Sequence, residues 1–312
     1  MKGPILLYLK DHPNEPWVKS FQKINPDVEV RCYPNWGDVE TSGYAFVWHP
    51  EPNILAQYPN LEIIFSMGAG VDHLLKDPTL PKHIPIVRMA DKGLKESMAE
   101  YVIMNVLMHQ RNMTQVFANQ RAAIWDRTFP PTAAKTTVGI MGYGTLGAYV
   151  GDKLKSFGFP LVTWSSSDKP AENGVTHYKG QDQLPTFLAA CDIVVCLLPA
   201  TKDTIHILNT ETLKFCKKNA AIINAGRGNT LDLMALIDSM KFGHIRAASL
   251  DVFETEPLPK NHPVWAMENI VITPHVAAVT QYKSAAQYVL NTIENYETGK
   301  SLENLLDIKK GY

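Results

Sequence analysis

The sequence predicts an α/β protein built from two doubly wound, parallel-sheet domains, with the second inserted into the first. Its 312 residues are too many for one small core, and a typical length of roughly 150 residues per domain suggests two domains. Short strand-like runs alternate with helix-compatible segments in two series, and this alternation builds parallel sheets because parallel strands need long crossovers. We expect residues 1–99 and 285–312 to form one domain and residues 100–284 to form the other.

The first series contains five strand-like runs. They cover residues 5–9, 28–33, 44–48, 62–67 and 84–89. A long stretch with apolar positions three to four residues apart follows at residues 94–113. This spacing predicts one helix that connects the two domains.

The second series contains six strand-like runs and a final helix. The strands are expected at residues 137–141, 161–164, 193–198, 220–224, 245–250 and 270–272. The helix is expected at residues 280–297 and returns the chain to the first domain. Six strands that alternate with helices are typical of a doubly wound dinucleotide-binding fold.

The composition excludes several function classes. Hydrophobic residues make up 45% of the chain, charged residues make up 20%, and the net charge is -1. Without a run of basic residues, a nucleic-acid or anionic-membrane partner is not expected. The apolar stretches fall far short of the ~20 residues that span a bilayer. Because the N-terminus lacks the features of a signal peptide, we expect a cytoplasmic protein.

The four cysteines show no pattern of a disulfide framework or a zinc site. They are Cys32, Cys191, Cys196 and Cys216, without a C-x-x-C pair or a matching histidine spacing. Cys191 and Cys196 flank an apolar run, where a small thiol packs well. We therefore expect free, mostly buried thiols and no bound metal.

A glycine-rich turn, G-x-G-x-x-G, joins the strand predicted at residues 137–141 to a helix-compatible segment. The first glycine permits a tight turn, the second lets the backbone approach a pyrophosphate, and the third allows close helix–strand packing. In this context the turn predicts a Rossmann-like domain that binds a dinucleotide at a helix N-terminus. The residues of the turn are Gly142, Tyr143, Gly144, Thr145, Leu146 and Gly147.

The choice of dinucleotide depends on the end of the next strand, where an acidic residue would bind the ribose 2′-hydroxyl of NAD. Ser165 and Ser166 stand there instead, and Lys169 follows closely. Hydroxyl groups can donate to a 2′-phosphate and a lysine adds positive charge, so NADP(H) is favoured. NAD(H) stays open as an alternative, because Asp168 reaches the ribose if the turn is tight.

Five segments together resemble the D-isomer-specific 2-hydroxyacid dehydrogenase family, and they occur in that family's order. They are residues 68–72, 142–147, 224–228, 250–257 and 273–275. Residues 47–50 and 273–280 further resemble the branch of the family that reduces glyoxylate and hydroxypyruvate. The resemblance implies an oxidoreductase that transfers a hydride from NADPH to a small 2-ketoacid, glyoxylate to glycolate and hydroxypyruvate to D-glycerate.

The reduction of a 2-ketoacid needs a carboxylate anchor, stabilisation of the developing oxyanion, and a proton donor. The resemblance assigns these roles to Arg227, Glu256 and His275. Arg227 lies between two glycines after an apolar run, and its fork can bind carboxylate and carbonyl oxygens together. A carboxylate such as Glu256 beside His275 would favour the charged imidazolium and fix its tautomer.

The resemblance also implies contacts around the substrate and the cofactor. The predicted substrate-binding residues are Trp48, Ala69, Gly70, Val71, Arg227 and His275. Two glycines in residues 68–72 let successive N–H groups converge on an anion such as the substrate carboxylate. The further predicted cofactor-binding residues are Leu198, Pro199, Ala225 and Asp251, with Asp251 matching the family residue that contacts the nicotinamide carboxamide.

The family's architecture implies an active site between the domains and a homodimer formed through residues 94–113. Two alternatives stay open. One is an NADH-dependent D-2-hydroxyacid dehydrogenase that acts on a substrate like D-lactate. The other is a dinucleotide-sensing binding protein similar to transcriptional corepressors of this fold, although such a protein would not require all three catalytic residues.

Overall fold

The structure is a computed structural model that describes residues 1–127, 129–169, 172 and 174–311. The chain divides into two compact units. The first unit comprises Met1–Leu94 and Val279–Tyr312, and the second comprises Lys95–Ala278. The second unit is thus inserted into the chain of the first, and each contains one parallel sheet, as the sequence predicts.

The described residues contain twelve strands and nine α-helices. The strands are β1 (Ile5–Leu9), β2 (Val30–Cys32), β3 (Gly43–Trp48), β4 (Leu61–Ser66), β5 (Ile86–Val87), β6 (Val138–Met141), β7 (Leu161–Ser165), β8 (Val175–Lys179), β9 (Ile193–Cys196), β10 (Ala220–Asn224), β11 (Ile245–Leu250) and β12 (Ile270–Ile272). The helices are α1 (Glu15–Ile24), α2 (Asp72–Leu75), α3 (Lys92–Gln110), α4 (Met113–Arg121), α5 (Thr145–Ser156), α6 (Gly180–Ala190), α7 (Thr210–Leu213), α8 (Leu233–Lys241) and α9 (Tyr282–Glu297).

The first unit is built on a five-stranded parallel sheet with the order β2-β1-β3-β4-β5. Helices α1 and α9 pack together, and the rings of Trp17 and Tyr282 lie 4.9 Å apart. In the register of β3 and β4, Val47 is paired with Ser66. Because the two strands are parallel, the residues that follow them lie at the same edge of the sheet.

The second unit is built on a seven-stranded parallel sheet with the order β12-β11-β10-β9-β6-β7-β8. The chain starts at β6, moves outward through β7 and β8, and then returns to pair β9 with the other side of β6. Strand order therefore reverses between β6 and β9, and ligands of open α/β sheets bind at the carboxyl ends of the strands at such a point. Buried apolar clusters cover both faces of the sheet.

The sequence prediction was wrong about the number of strands in this sheet, because β8 is a seventh strand that it did not include. This strand lies at the edge of the sheet, and none of its five residues is fully buried. An edge strand that is half exposed carries no continuous apolar run. The apolar pattern therefore did not reveal it.

The single helix predicted at residues 94–113 is also corrected. Helix α3 ends at Gln110, and α4 begins at Met113. Between them Asn112 adopts the left-handed conformation with φ 54°, which asparagine tolerates better than most residues. The predicted domain crossings near residues 99 and 284 lie inside α3 and α9, and a helical pattern alone does not mark where one compact unit ends.

The remaining global features concern membranes, metals and thiols. In the part of the chain that the structure describes, no helix has both the length and the apolar character needed to cross a membrane. Within the same residues, no three His, Cys, Asp or Glu side chains come together as metal ligands. All four cysteines are free, and Cys191, Cys196 and Cys216 are buried.

Candidate active site

The glycine-rich turn after β6 fits a dinucleotide. Gly142 has φ +94°, and a Cβ there would lie 2.9 Å from the carbonyl oxygen of Leu197. A Cβ on Gly147 would lie 2.1 Å from the carbonyl oxygen of Gly142, so α5 can approach the turn only without a side chain. A Cβ on Gly144 would meet no described atom within 4 Å, which leaves the backbone there open to a ligand. Each glycine thus has the local geometry that pyrophosphate binding requires.

The other residues of this turn divide between its surface and its interior. Thr145 is exposed and begins α5, and Leu146 is half-buried. Tyr143 is buried, and its hydroxyl donates a hydrogen bond to Glu172 Oε2 at 2.8 Å. Its ring lies against Gly151, where a Cβ would approach it to 2.9 Å. The Tyr143 side chain therefore supports the turn from inside, and only its backbone belongs to the open surface.

The loops after β9 and β10 pack backbone against backbone. A Cβ on Gly226 would lie 2.6 Å from the carbonyl oxygen of Leu198. Leu198 and Ala225 are buried, and the carbonyl oxygen of Pro199 accepts a hydrogen bond from Thr204 Oγ1 at 2.6 Å. These three predicted cofactor-binding residues thus lie in the same part of the sheet edge as the glycine-rich turn.

Arg227 is held in a turn that its neighbours define. The side-chain amide of Asn224 donates to the Arg227 carbonyl oxygen at 3.1 Å, and Asn224 Oδ1 accepts from the Gly226 N–H at 3.2 Å. A Cβ on Gly228 would lie 1.9 Å from the carbonyl carbon of Phe253. Glycine at 228 therefore lets the Arg227 turn contact the loop that carries Glu256.

Asp251, which follows β11, anchors the loop that carries His275. It is 1% exposed. Its Oδ1 accepts from Thr273 Oγ1 at 2.6 Å and from the Val276 N–H at 2.9 Å, and its Oδ2 accepts from the Ala277 N–H at 2.9 Å. Its carbonyl oxygen accepts from the His275 N–H at 2.8 Å. Both carboxylate oxygens are thus engaged within the protein, and the contact with nicotinamide stays a prediction.

His275 and Glu256 form the predicted pair. His275 Nδ1 donates to Glu256 Oε2 at 2.8 Å, and Glu256 Oε1 accepts from the Phe253 N–H at 2.9 Å. His275 has φ 56°, a left-handed conformation that its anchored loop enforces. Because Nδ1 faces Glu256, Nε2 is the ring nitrogen left to meet a substrate.

The electrostatics of the pair favour a protonated histidine. The hydrogen bond to Glu256 raises the pKa of His275, against burial and the positive charge of Arg227, which lower it. Burial acts to raise the pKa of Glu256, but the hydrogen bonds from His275 and the Phe253 N–H outweigh it and the pKa is lowered. Arg227 lowers the pKa of both groups, so the three side chains form one electrostatic unit.

The predicted substrate-binding residues Trp48, Ala69, Gly70 and Val71 lie together in the first unit. A Cβ on Gly68 would lie 2.8 Å from Trp48 Cζ3, so the indole ring covers the start of the glycine turn. Ser66 Oγ donates to the Gly70 carbonyl oxygen at 3.1 Å. The turn is therefore ordered by its own unit, and its role toward a carboxylate stays a prediction.

The sequence interpretation did not include His73, whose ring centre lies 4.7 Å from that of Trp48. His73 is buried in the short helix α2. Its only sequence signal was its place directly after the glycine turn.

At the end of β7 the predicted residues have different environments. Ser165 is buried, and its hydroxyl donates to the Ser167 carbonyl oxygen at 2.6 Å. Ser166 is exposed and Lys169 is half-buried. The adjacent strand β8 adds His177 and Lys179 to this corner, which the sequence interpretation omitted. The β-branched and aromatic residues of β8 were the signal that could have identified it.

Comparisons with known proteins agree on one family. Residues 103–277 match the family model described as the D-isomer specific 2-hydroxyacid dehydrogenase, NAD binding domain. A protein of Yersinia enterocolitica named glyoxylate/hydroxypyruvate reductase A is 37% identical over 99% of each chain.

Two solved structures are similar to the entire chain. A D-isomer specific 2-hydroxyacid dehydrogenase from Xanthobacter autotrophicus Py2, in complex with NADPH and MES, is 36% identical with a TM-score of 0.95 and full coverage of both chains. An NADPH-dependent glyoxylate/hydroxypyruvate reductase from Sinorhizobium meliloti, in complex with NADP and sulfate, is 35% identical with a TM-score of 0.91 and the same coverage. These likenesses extend over both units of the chain.

Proposed function

Because this chain belongs to the D-isomer specific 2-hydroxyacid dehydrogenase family, we propose that it reduces glyoxylate to glycolate and hydroxypyruvate to D-glycerate with NADPH. Relatives with these substrates in their names match the chain from end to end. Similar structures hold NADPH or NADP. The observation in this chain that carries the proposal is the hydrogen bond of 2.8 Å between His275 Nδ1 and Glu256 Oε2.

His275 is the proposed proton donor. With Nδ1 held by Glu256, the protonated ring presents its second N–H at Nε2. As a hydride reaches the carbonyl carbon, the carbonyl oxygen gains negative charge and takes this proton. The hydrogen bond to Glu256 raises the pKa of His275 and so favours its acid form, and the Glu256 carboxylate stabilises the imidazolium before the transfer.

Arg227 is the proposed anchor for the substrate. A guanidinium can donate to a carboxylate oxygen and the carbonyl oxygen of a 2-ketoacid at once, since the two lie side by side. Its positive charge opposes the negative charge that develops on the carbonyl oxygen during reduction. The Ala69, Gly70 and Val71 N–H groups are the proposed further donors to the carboxylate.

NADPH, when bound, supplies the hydride. The residues proposed to hold it are those of the glycine-rich turn, with Ser166 and Lys169 toward the 2′-phosphate, and Leu198, Pro199 and Ala225 along the edge of the sheet. The open backbone at Gly144 and the N-terminus of α5 favour the pyrophosphate. Ser165 stays in the proposed cofactor site as the residue whose hydroxyl shapes the turn that carries Ser166 and Lys169.

We also propose that the protein is a cytoplasmic homodimer. Four free cysteines suit a reducing compartment. The family resemblance implies a dimer formed through residues 94–113, and large apolar side chains in and just after this stretch are exposed, including Met104, Phe117 and Trp125. Light scattering on the purified protein measures the molar mass, and a monomer would contradict the dimer.

The decisive experiment is the oxidation of NADPH and NADH by the purified protein with glyoxylate, hydroxypyruvate and pyruvate. We expect turnover with NADPH and the first two acids, and a loss of kcat on the order of 10²–10⁴-fold in His275→Ala, the range of general acid catalysis. A preference for NADH and pyruvate would favour a D-lactate-like dehydrogenase. Nucleotide binding without turnover of any acid would favour a sensor.

A further inference from the structure

The edge strand β8 brings a second set of polar residues to the end of β7. The two strands are parallel, with Thr163 paired with His177 and Ser165 paired with Lys179. The indole N–H of Trp164 donates to the Gly180 carbonyl oxygen at 2.9 Å. This bond fixes the end of β8 against the end of β7, at the carboxyl edge where a dinucleotide presents its adenosine ribose.

His177 organises the turn that follows β7. The Ser165 hydroxyl donates its proton to the Ser167 carbonyl oxygen. His177 Nε2, 3.1 Å from Ser165 Oγ, is therefore the donor in that contact, and Nδ1 accepts from the Thr163 hydroxyl at 2.8 Å. The Ser165 hydroxyl makes its hydrogen bonds inside the turn. The positive charge that a 2′-phosphate needs must therefore come from other residues.

Lys179, at the end of β8, can supply this positive charge. Its Nζ is 2.5 Å from Asp168 Oδ2, and the side chains of Lys179 and Asp168 are 48% and 80% exposed. Asp168 is the acid that, alone, would repel a 2′-phosphate and accept from a ribose hydroxyl. Paired with Lys179 its charge is offset, and the positive charge of Lys169 remains in excess.

We propose that Lys179 supplies a cation to the 2′-phosphate of NADP(H), and that its ion pair with Asp168 sets the preference for NADP(H) over NAD(H). The inference deepens the proposed function and rests on it for the presence of a dinucleotide. When a 2′-phosphate binds, Lys179 can contact both the phosphate and Asp168, because an ammonium group carries three donors. With an unphosphorylated ribose, Lys179 stays with Asp168 alone.

The charge distribution makes the nucleotide preference adjustable at either residue of this ion pair. Removing the Lys179 charge exposes the 2′-phosphate to the Asp168 carboxylate, which is repulsive. Removing the Asp168 charge frees Lys179 for the phosphate and takes away the acceptor for a ribose hydroxyl. The two substitutions therefore shift the nucleotide preference in opposite directions.

The test is direct binding of NADPH, NADH and adenosine 2′,5′-bisphosphate to the full-length protein by calorimetry. We expect Lys179→Gln to weaken the binding of NADPH and of the bisphosphate about ten-fold, the scale of losing one charged hydrogen bond, with NADH unchanged. Asp168→Asn should tighten NADPH binding and weaken NADH binding. Lys179→Arg should keep the wild-type preference, because it retains the charge.

A matched control is available elsewhere in the same unit. Lys214 forms an ion pair of 2.8 Å with Glu211, and the two side chains are 62% and 77% exposed. Lys214→Gln removes the same charge from a similar surface pair and should leave all three affinities unchanged.

Different failures can be told apart. Equal weakening of NADPH and NADH by Lys179→Gln, or no change in either, would overturn the role of Lys179 while leaving the reductase assignment in place. If the wild-type protein bound neither nucleotide, the cofactor assignment itself would fail, and the role of Lys179 with it.

Discussion

Two aspartates follow strands of the same sheet and have opposite environments. Asp251, after β11, is 1% exposed and accepts three hydrogen bonds from the loop that carries His275. Asp168, after β7, is 80% exposed and contacts Lys179. A buried carboxylate with both oxygens hydrogen-bonded orders the backbone around it, whereas an exposed ion pair contributes little to stability. The first aspartate therefore orders the loop that carries His275, and the second is proposed to set which dinucleotide is preferred.

In the second unit, buried contacts set the positions of the proposed catalytic residues, whereas exposed charges are proposed to set the preference between dinucleotides. The positions of His275 and Arg227 depend on hydrogen bonds between loops and on glycines that admit no side chain. Proton transfer needs atoms placed within a few tenths of an ångström, and buried contacts provide that. Discrimination between two dinucleotides needs only a difference in charge near one phosphate, which exposed side chains can supply.

Among substitutions that leave His275 in place, the largest effect is expected from Arg227→Ala. Loss of the guanidinium removes the substrate anchor and the stabilisation of the oxyanion, so kcat/KM should fall by on the order of 10²–10³-fold. The dissociation constant of NADPH should stay unchanged, the opposite of the result expected for Lys179→Gln. Steady-state kinetics together with calorimetry measure both. A variant with wild-type turnover would remove Arg227 from the mechanism.

A stability comparison of Asp251→Asn with Asp168→Asn tests the contrast between the two aspartates. An amide at 251 would direct a donor at a backbone N–H or the Thr273 hydroxyl, at a cost of about 1–3 kcal/mol for buried groups left unsatisfied. The exposed pair at 168 should contribute about 0–1 kcal/mol. Urea unfolding followed by circular dichroism gives the two midpoints. Equal midpoints would show that the burial of Asp251 does not stabilise the loop.

The smallest expected effect is a shift of the pH profile in Glu256→Gln. The Glu256 carboxylate raises the pKa of His275, and an uncharged amide removes that effect. Reduction needs protonated His275, so kcat/KM falls as the pH rises through the pKa of this group. The fall should begin at a lower pH in the variant than in the wild-type protein, with similar activity well below the pKa. Coincident pH profiles would mean that another group limits the rate.

Local patterns were sufficient to predict much of the second unit. The glycine-rich turn lies directly between β6 and α5, and its three glycines have the geometry expected of them. Buried strands such as β10 and β11 match the predicted residues 220–224 and 245–250. These elements are readable because each is a continuous apolar run bounded by turn residues.

Other features could not be predicted from the sequence because they depend on partners far along the chain or on a single backbone conformation. Among the described residues, β8 pairs with β7 alone, so its residues carry no strong apolar pattern. The break at Asn112 depends on one backbone conformation within a sequence that is otherwise suited to a helix. The engagement of Asp251 by residues 273–277 joins two loops across 22 to 26 positions.

By itself, the sequence determined the fold class, through two series of alternating strand-like and helix-compatible runs, and the dinucleotide turn, through one short glycine-rich segment. The three proposed catalytic residues were assigned from the resemblance of five segments to a family. The tertiary structure alone decided that Asp251 anchors the His275 loop, that Ser165 turns inward, and that Lys179 faces Asp168. These are pairings between strands or loops, and the packing of the sheet, rather than the neighbouring residues, brings such groups within hydrogen-bonding distance.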